Sequence, residues 1–321
     1  MMRKFSSRAV MTALVAVCSV TVVGCGQIRS LQARQAFKDA NGLYQGSDYR
    51  GAAAKYEEAV ELDPSLVEAY FYLGNSYDNL YRPTRAGEPE NDALLDKAIA
   101  GYSRAADSNS PQRKLALQYL VAAYGPDRLN DPARAEPIVK SMIQLDPADP
   151  TNYFALAQIY ENAGLYDEAE AALLQAREAK PNDPAVYMQL AGYYNRQGQF
   201  PKTIEALEQR VVQEPDNPEA HHTVATFYWD EVYRNFRLAD ADKRRYIESG
   251  IASVDKALAL KSDYFEALTY KNLLLRLQAN LERDPARQQA LIRQADQLRD
   301  QAEELQKQQQ AGGAAAAPSG N

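Results

Sequence analysis

Apolar and small residues fall three and four positions apart in short blocks along the chain, the spacing of one buried helix face. Leu73, Gly74 and Tyr77 form one such block, and Ala98, Tyr102 and Ala105 make a small-large-small counterpart. Each small residue lets a neighbouring helix approach closely. The steps Asp146-Pro147 and Lys180-Pro181 end helices, because the residue before a proline is pushed out of the helical region. The pattern predicts short amphipathic helices in pairs.

The pairs repeat. Pro147, Pro181 and Pro215 lie 34 residues apart, as do Pro150, Pro184 and Pro218, and Tyr160, Tyr194 and Tyr228. Leu156, Leu190 and Val224 keep this spacing, with Ala157, Ala191 and Ala225, and Gly164 with Gly198. One pair cannot bury both of its faces, so successive pairs must stack. This period and residue order resemble the tetratricopeptide repeat (TPR) family, whose pattern is a bulky residue, Leu, a small residue and Tyr, then Ala, a bulky residue, Ala and Pro. Tyr70, Leu73, Gly74 and Tyr77 fit the first half, and Ala52, Tyr56, Ala59 and Pro64 fit the second half of the preceding unit.

The resemblance implies an all-α fold, a right-handed α-solenoid of about seven helix-turn-helix units over residues 31–310. The units run Leu31 to Pro64, Ser65 to Ser110, Pro111 to Pro147, Ala148 to Pro181, Asn182 to Pro215, Asp216 to Ser262, and onward from Asp263. The last departs from the pattern, with Lys271 and Asn272 where Leu and a small residue are expected. From Ala286 to Gln310 one long helix is expected, with Leu291, Ala295, Leu298, Ala302 and Leu305 on a face. It serves as a solvating cap on the stack or docks a partner helix. Residues 311–321, rich in Ala and Gly, are expected to be a disordered tail.

The N-terminal residues follow another pattern. Arg3, Lys4 and Arg8 precede an uncharged apolar run from Ala9 to Val23, the layout of a secretory signal peptide over residues 1–24. Val22-Val23-Gly24-Cys25 resembles the lipobox of bacterial lipoproteins, which implies acylation (palmitate) at Cys25 and a short lipidated tether over 25–30. Gly26 follows, and by resemblance to lipoprotein sorting the absence of Asp there implies the outer membrane, facing the periplasm, in a two-membrane organism. Losing the three leader cations takes the formal charge from −7 to −10.

That acidity excludes nucleic-acid binding, which needs a basic footprint to displace phosphate counterions. Cys18 and Cys25 are the only cysteines, so the exported chain has no intramolecular disulfide and no Cys metal site. The sole histidines, His221 and His222, point about 100° apart on a helix and cannot chelate one ion together. His221 falls at the repeat position of Tyr153 and Tyr187, so it reads as a packing residue. No phosphate loop or nucleophile elbow is present. No catalytic residue, cofactor or metal site is expected, and the reading is a protein-binding chain. The 21 Tyr against 8 Phe suit half-buried contact faces, where a ring packs and its hydroxyl stays wet.

Two candidate recognition surfaces emerge. In the TPR family the first helix of each pair lines a concave groove. Carried over, the groove residues are Asn41, Phe71, Asn75, Asp78, Phe154, Gln158, Glu161, Met188, Asn195, His222, Thr226 and Trp229. The family branch that clamps chaperone carboxylates uses Lys and Arg at such positions; Phe71, Gln158 and Met188 here imply peptide or helix recognition instead. The second surface lies in repeats two and six, each longer by about a dozen residues. Their inserts share a Tyr-Arg-x-x-Arg form, with Tyr81, Arg82 and Arg85 in one and Tyr233, Arg234 and Arg237 in the other, 152 residues apart. These arginines either grip an anionic group of a partner or pair with the chain's own Glu88, Glu90 or Asp240. The expected function is an envelope scaffold or assembly factor whose partners are other envelope proteins or peptides. A periplasmic holdase and an accessory subunit of a cell-wall enzyme remain alternatives.

Overall fold

The computed structural model describes residues 27–315, with side chains described as far as 308. The expected leader, the expected acyl acceptor Cys25 and the last six residues lie outside the described residues. All regular structure among the described residues is helical. It falls into two units: residues 1–147 with Asn162–Gly164, and Ala148–Glu161 with 165–321.

The first unit stacks α1 (27–45), α2 (Tyr49–Leu62), α3 (Val67–Leu80), α4 (Pro89–Ala106), α5 (Arg113–Ala123) and α6 (Pro132–Leu145). From α2 onward each helix packs on the next. Small residues set the spacing. A Cβ on Gly74 would stand 2.8 Å from the Ala98 carbonyl oxygen, and one on Gly101 would stand 2.7 Å from that of Tyr70, so α3 and α4 touch backbone to backbone. Tyr56 and Tyr102 fill the space beside them and are fully buried.

The second unit holds α7 (Pro150–Asn162), α8 (Tyr166–Ala179), α9 (Pro184–Arg196), α10 (Phe200–Gln213), α11 (Pro218–Arg234), α12 (Asp240–Leu260), α13 (Phe265–Leu281) and α14 (Pro285–Ala315). The periodic prolines have a local cause. Pro184 and Pro218 open helices, where a missing N–H costs nothing, and the preceding Asp183 and Asn217 accept hydrogen bonds from the amides of Ala185 (2.9 Å) and Glu219 (3.0 Å). The periodic Gly164 and Gly198 take φ of 75° and 67°, the left-handed turn that ends the first helix of a pair.

Three boundary expectations change. Residues 27–30, expected in the tether, are already helical. The last helix runs to Ala315, five residues into the expected disordered tail, where adding residues to a helix already nucleated upstream avoids the cost of a new nucleus. The inserted residues of repeats two and six are largely extra helix, not long loops. Helix α4 has 18 residues and α12 has 21, against 14 in α8 and α10.

The degenerate final pair still packs. Asn272 is buried and accepts from Arg276 Nε at 2.8 Å, and Lys271 pairs with Asp255 on α12 at 2.7 Å. Polar partners there replace the expected Leu and small residue.

Candidate protein-binding site

Helices α9, α11 and α13 surround a cleft of about 250 Å³ in the second unit, lined by Asn195, Thr226, Phe227, Trp229, Asp230, Arg234 and Tyr270. Helix geometry explains the grouping. Thr226, Trp229 and Asp230 are three and four apart on α11, and Arg234 lies one turn beyond. The floor is aromatic. Trp229 stacks on Tyr233 at 4.9 Å and 12°, and meets Tyr270 edge-on at 5.6 Å and 89°. Trp229 also packs on the cluster of Ala225, Val254, Ala257, Ala267 and Leu274, so its ring is held from below. At the rim, Arg234 Nε pairs with Asp230 at 2.6 Å.

His222 continues the aromatic row. Its ring lies 5.1 Å from both Tyr264 and Tyr270, and Tyr264 Oη is 3.4 Å from Nδ1. Burial lowers its pKa from the ordinary 6.5, against the opposing pull of Glu266 and Glu219, so the neutral imidazole is favoured. Nε2 is buried without a hydrogen-bond partner. Neighbouring His221 behaves as a repeat residue: its Nε2 donates to the Pro215 carbonyl at 2.9 Å, as Tyr187 donates to that of Pro181 at 2.6 Å, one repeat earlier.

Asn195, Thr226 and Trp229 thus share one cleft, joined there by Arg234 of the second insert, with His222 adjoining through Tyr270. Others on the second unit are already engaged. Glu161 holds Arg196 through two bonds of 2.7 and 2.8 Å, and Arg210 Nη1 lies 3.0 Å from Met188 Sδ. Phe154 is half-buried and Gln158 exposed. Tyr270 and Phe227 were not among the sequence candidates. Tyr270 sits in the degenerate last repeat, where the family pattern gave no register to carry over.

In the first unit, the expectation of open groove positions has to be corrected at Phe71 and Asn75. Both are buried, 5% exposed, because the tyrosines around them close over the helix face. Phe71 packs against Tyr72, Tyr102 and Tyr119, and Asn75 bonds Tyr44, Tyr102 at 3.3 Å and Asn79 at 2.9 Å. Asp78 accepts from Tyr102 Oη at 3.0 Å and pairs with Arg128. Desolvation and the neighbouring Asp78 carboxylate push the Tyr102 phenol far above its ordinary value. Asn41 accepts from Tyr56 Oη at 2.6 Å.

The two inserts also differ. Tyr81 is buried with Leu95 and Ala123, Arg82 donates to the Asn79 carbonyl at 2.9 Å, and Arg85 pairs with Glu88. In the second, Tyr233 is 58% exposed beside Phe236 at 89%, Arg234 holds Asp230, and Arg237 contributes only its backbone N–H, to Asn235 Oδ1 at 3.2 Å.

Among the described residues no cluster of three or more His, Cys, Asp or Glu side chains could hold a metal ion, and no helix is long and apolar enough to cross a membrane.

Stacked helix pairs with a 34-residue period and an aromatic cleft define a repeat protein of the protein-binding class. A tetratricopeptide repeat family model matches residues 128–193, and a second TPR repeat model matches residues 40–80. These two stretches carry tetratricopeptide repeats, and proteins built from such repeats are typically non-catalytic interaction scaffolds. It is similar in fold to the C-terminal part of a TPR repeat-containing protein from Cytophaga hutchinsonii, with 13% identity over 82% of this chain and 95% of that one and a TM-score of 0.55. Looser overlays are found with YrrB, described as a TPR protein with an unusual peptide-binding site (22% identity, 59% of this chain, 89% of that one, TM-score 0.40), and with MamA from Desulfovibrio magneticus (15%, 63%, 99%, 0.42). No curated protein matches the sequence.

Proposed function

We propose that this chain is a lipid-anchored scaffold or assembly factor of the bacterial cell envelope, and that it holds a partner protein in the cleft between α9, α11 and α13. The observation that carries the reading is the convergence on one cleft of Trp229, Tyr270, Asn195 and the Asp230–Arg234 pair. Rigid aromatic rings supply contact area at little entropic cost, and the amide and ion pair satisfy a partner's backbone and charged groups. That is the chemistry of an extended peptide or a helix laid in a groove.

The anchor part of the proposal rests on the basic head, the apolar run and Val22-Val23-Gly24-Cys25, with Gly26 favouring an outer-membrane location facing the periplasm. Labelling with a radioactive palmitate precursor tests it: label enters the wild type and is absent from Cys25→Ala. Crosslinking in the native host, followed by affinity purification of the wild type and of Trp229→Ala, tests the cleft. One stoichiometric envelope protein lost in the variant supports the scaffold. Many weak partners instead indicate a holdase. A cell-wall enzyme recovered with the wild type and with Trp229→Ala alike makes the chain an accessory subunit that uses another surface.

A further inference from the structure

We propose that the tip joining α11 to α12 is a membrane-docking element, which seats Phe236 in the interfacial zone of an anionic phospholipid surface with Arg234 and Arg237 at the headgroups. Phe236 is 89% exposed on a connection of five residues, 235–239, held between two of the longer helices of the second unit, and Tyr233, 58% exposed, lies in the last turn of α11 beside it. A bare phenyl in water is tolerated singly, but here it is flanked by guanidinium groups. Arg237 follows it directly, and no side-chain hydrogen bond or ion pair engages Arg237 among the described residues.

The charge is local and opposite to that of the chain. From Asp230, the partner of Arg234, to Arg245 the chain carries five cations (Arg234, Arg237, Lys243, Arg244, Arg245) and four anions (Asp230, Glu231, Asp240, Asp242), a net +1 in a chain of net −7. The matching window of the first insert, 78–93, carries Arg82 and Arg85 against Asp78, Glu88, Glu90 and Asp92, a net −2. An aromatic ring at the acyl boundary with arginines reaching up to phosphate is the chemistry of interfacial anchoring, and a fluid bilayer needs no shaped pocket to accept a single protruding ring. The cleft beside it is the shaped surface and belongs to the protein partner; the two meet at Arg234, but Phe236 and Arg237 lie outside the cleft lining and their contact does not depend on that reading.

The test uses the full chain with Phe236→Trp in a Trp229→Phe background, so that position 236 carries the sole tryptophan. Circular dichroism establishes that the helices are retained. Vesicles of phosphatidylglycerol with brominated acyl chains should quench and blue-shift this tryptophan, whereas brominated phosphatidylcholine should do so weakly. Because the readout is local to position 236, attachment of the chain elsewhere does not mimic it. Adding Arg237→Ala should shift the docking equilibrium about fivefold toward the undocked form. An unquenched, water-like emission in anionic vesicles overturns the proposal, as does equal quenching in both lipids. Loss of a crosslinked protein on Phe236→Ser, with no lipid quenching at position 236, assigns the tip to a protein contact and overturns it too.

Discussion

The two inserts begin from the same Tyr-Arg-x-x-Arg words and end as opposite structures. In the first, Asn91 on α4 reaches back to the loop: its Oδ1 accepts from the Arg82 amide at 2.9 Å, and its Nδ2 donates to the Arg82 and Arg85 carbonyls at 3.1 Å each. That clamp draws Tyr81 under the loop, where Arg128 lies 5.7 Å over its ring. In the second insert the residue at the same offset is Lys243, which has no acceptor and cannot repeat the clamp. The connection instead shortens to five residues as α11 and α12 lengthen, and Tyr233 turns outward onto Trp229. One amide side chain on the facing helix separates a loop folded for stability from a loop presented to solvent.

The sharpest way to break this contrast is at the tyrosines. Tyr81→Ala should cost about 3 kcal/mol of stability in chemical denaturation, the scale of a buried aromatic truncation, while Tyr233→Ala should stay within about 0.5 kcal/mol. Equal losses would erase the difference. Gly101→Ala, which forces a methyl against the α3 backbone, should cost about 1–3 kcal/mol by the same assay and leave the second unit's cleft intact. Asn91→Ala should cost about 1–2 kcal/mol, because the Arg82 amide and two carbonyls lose their partner.

A pH effect belongs to the second unit. The lowered pKa of His222 means that the unfolded chain binds the proton more readily, so His222 lowers stability as pH falls through the ordinary histidine value of 6.5. The denaturation midpoint should drop between neutral pH and about pH 5, and His222→Phe should flatten that part of the drop. The smallest effect is at Arg85 and Glu88, an ion pair more than half exposed on the arginine side; Glu88→Gln should leave the midpoint unmoved.

Much of the fold was legible because the repeat writes packing chemistry at fixed positions: Gly74 for approach, Pro184 after Asp183 for helix starts, Gly198 for the left-handed turn. The candidate site was legible only in part. Thr226 and Trp229 follow from repeat register, but Tyr270 lies where register is lost, and the burial of Phe71 and Asn75 depends on Tyr44, Tyr102 and Tyr119 converging from three other helices. The inserts misled for a related reason. A shared local motif carries no information about whether Asn91 or Lys243 faces it from the next helix.

The central claim is that recognition lies with the cleft and second insert, and not with the first. The most direct test is the Kd of the crosslinked partner for the wild type, for Trp229→Ala and for the double variant Arg82→Ala, Arg85→Ala. The account predicts a loss of about thirtyfold or more for Trp229→Ala, the scale of an aromatic hot spot, and an unchanged Kd for the first-insert variant. Full affinity in Trp229→Ala with a loss in the arginine variant would contradict it.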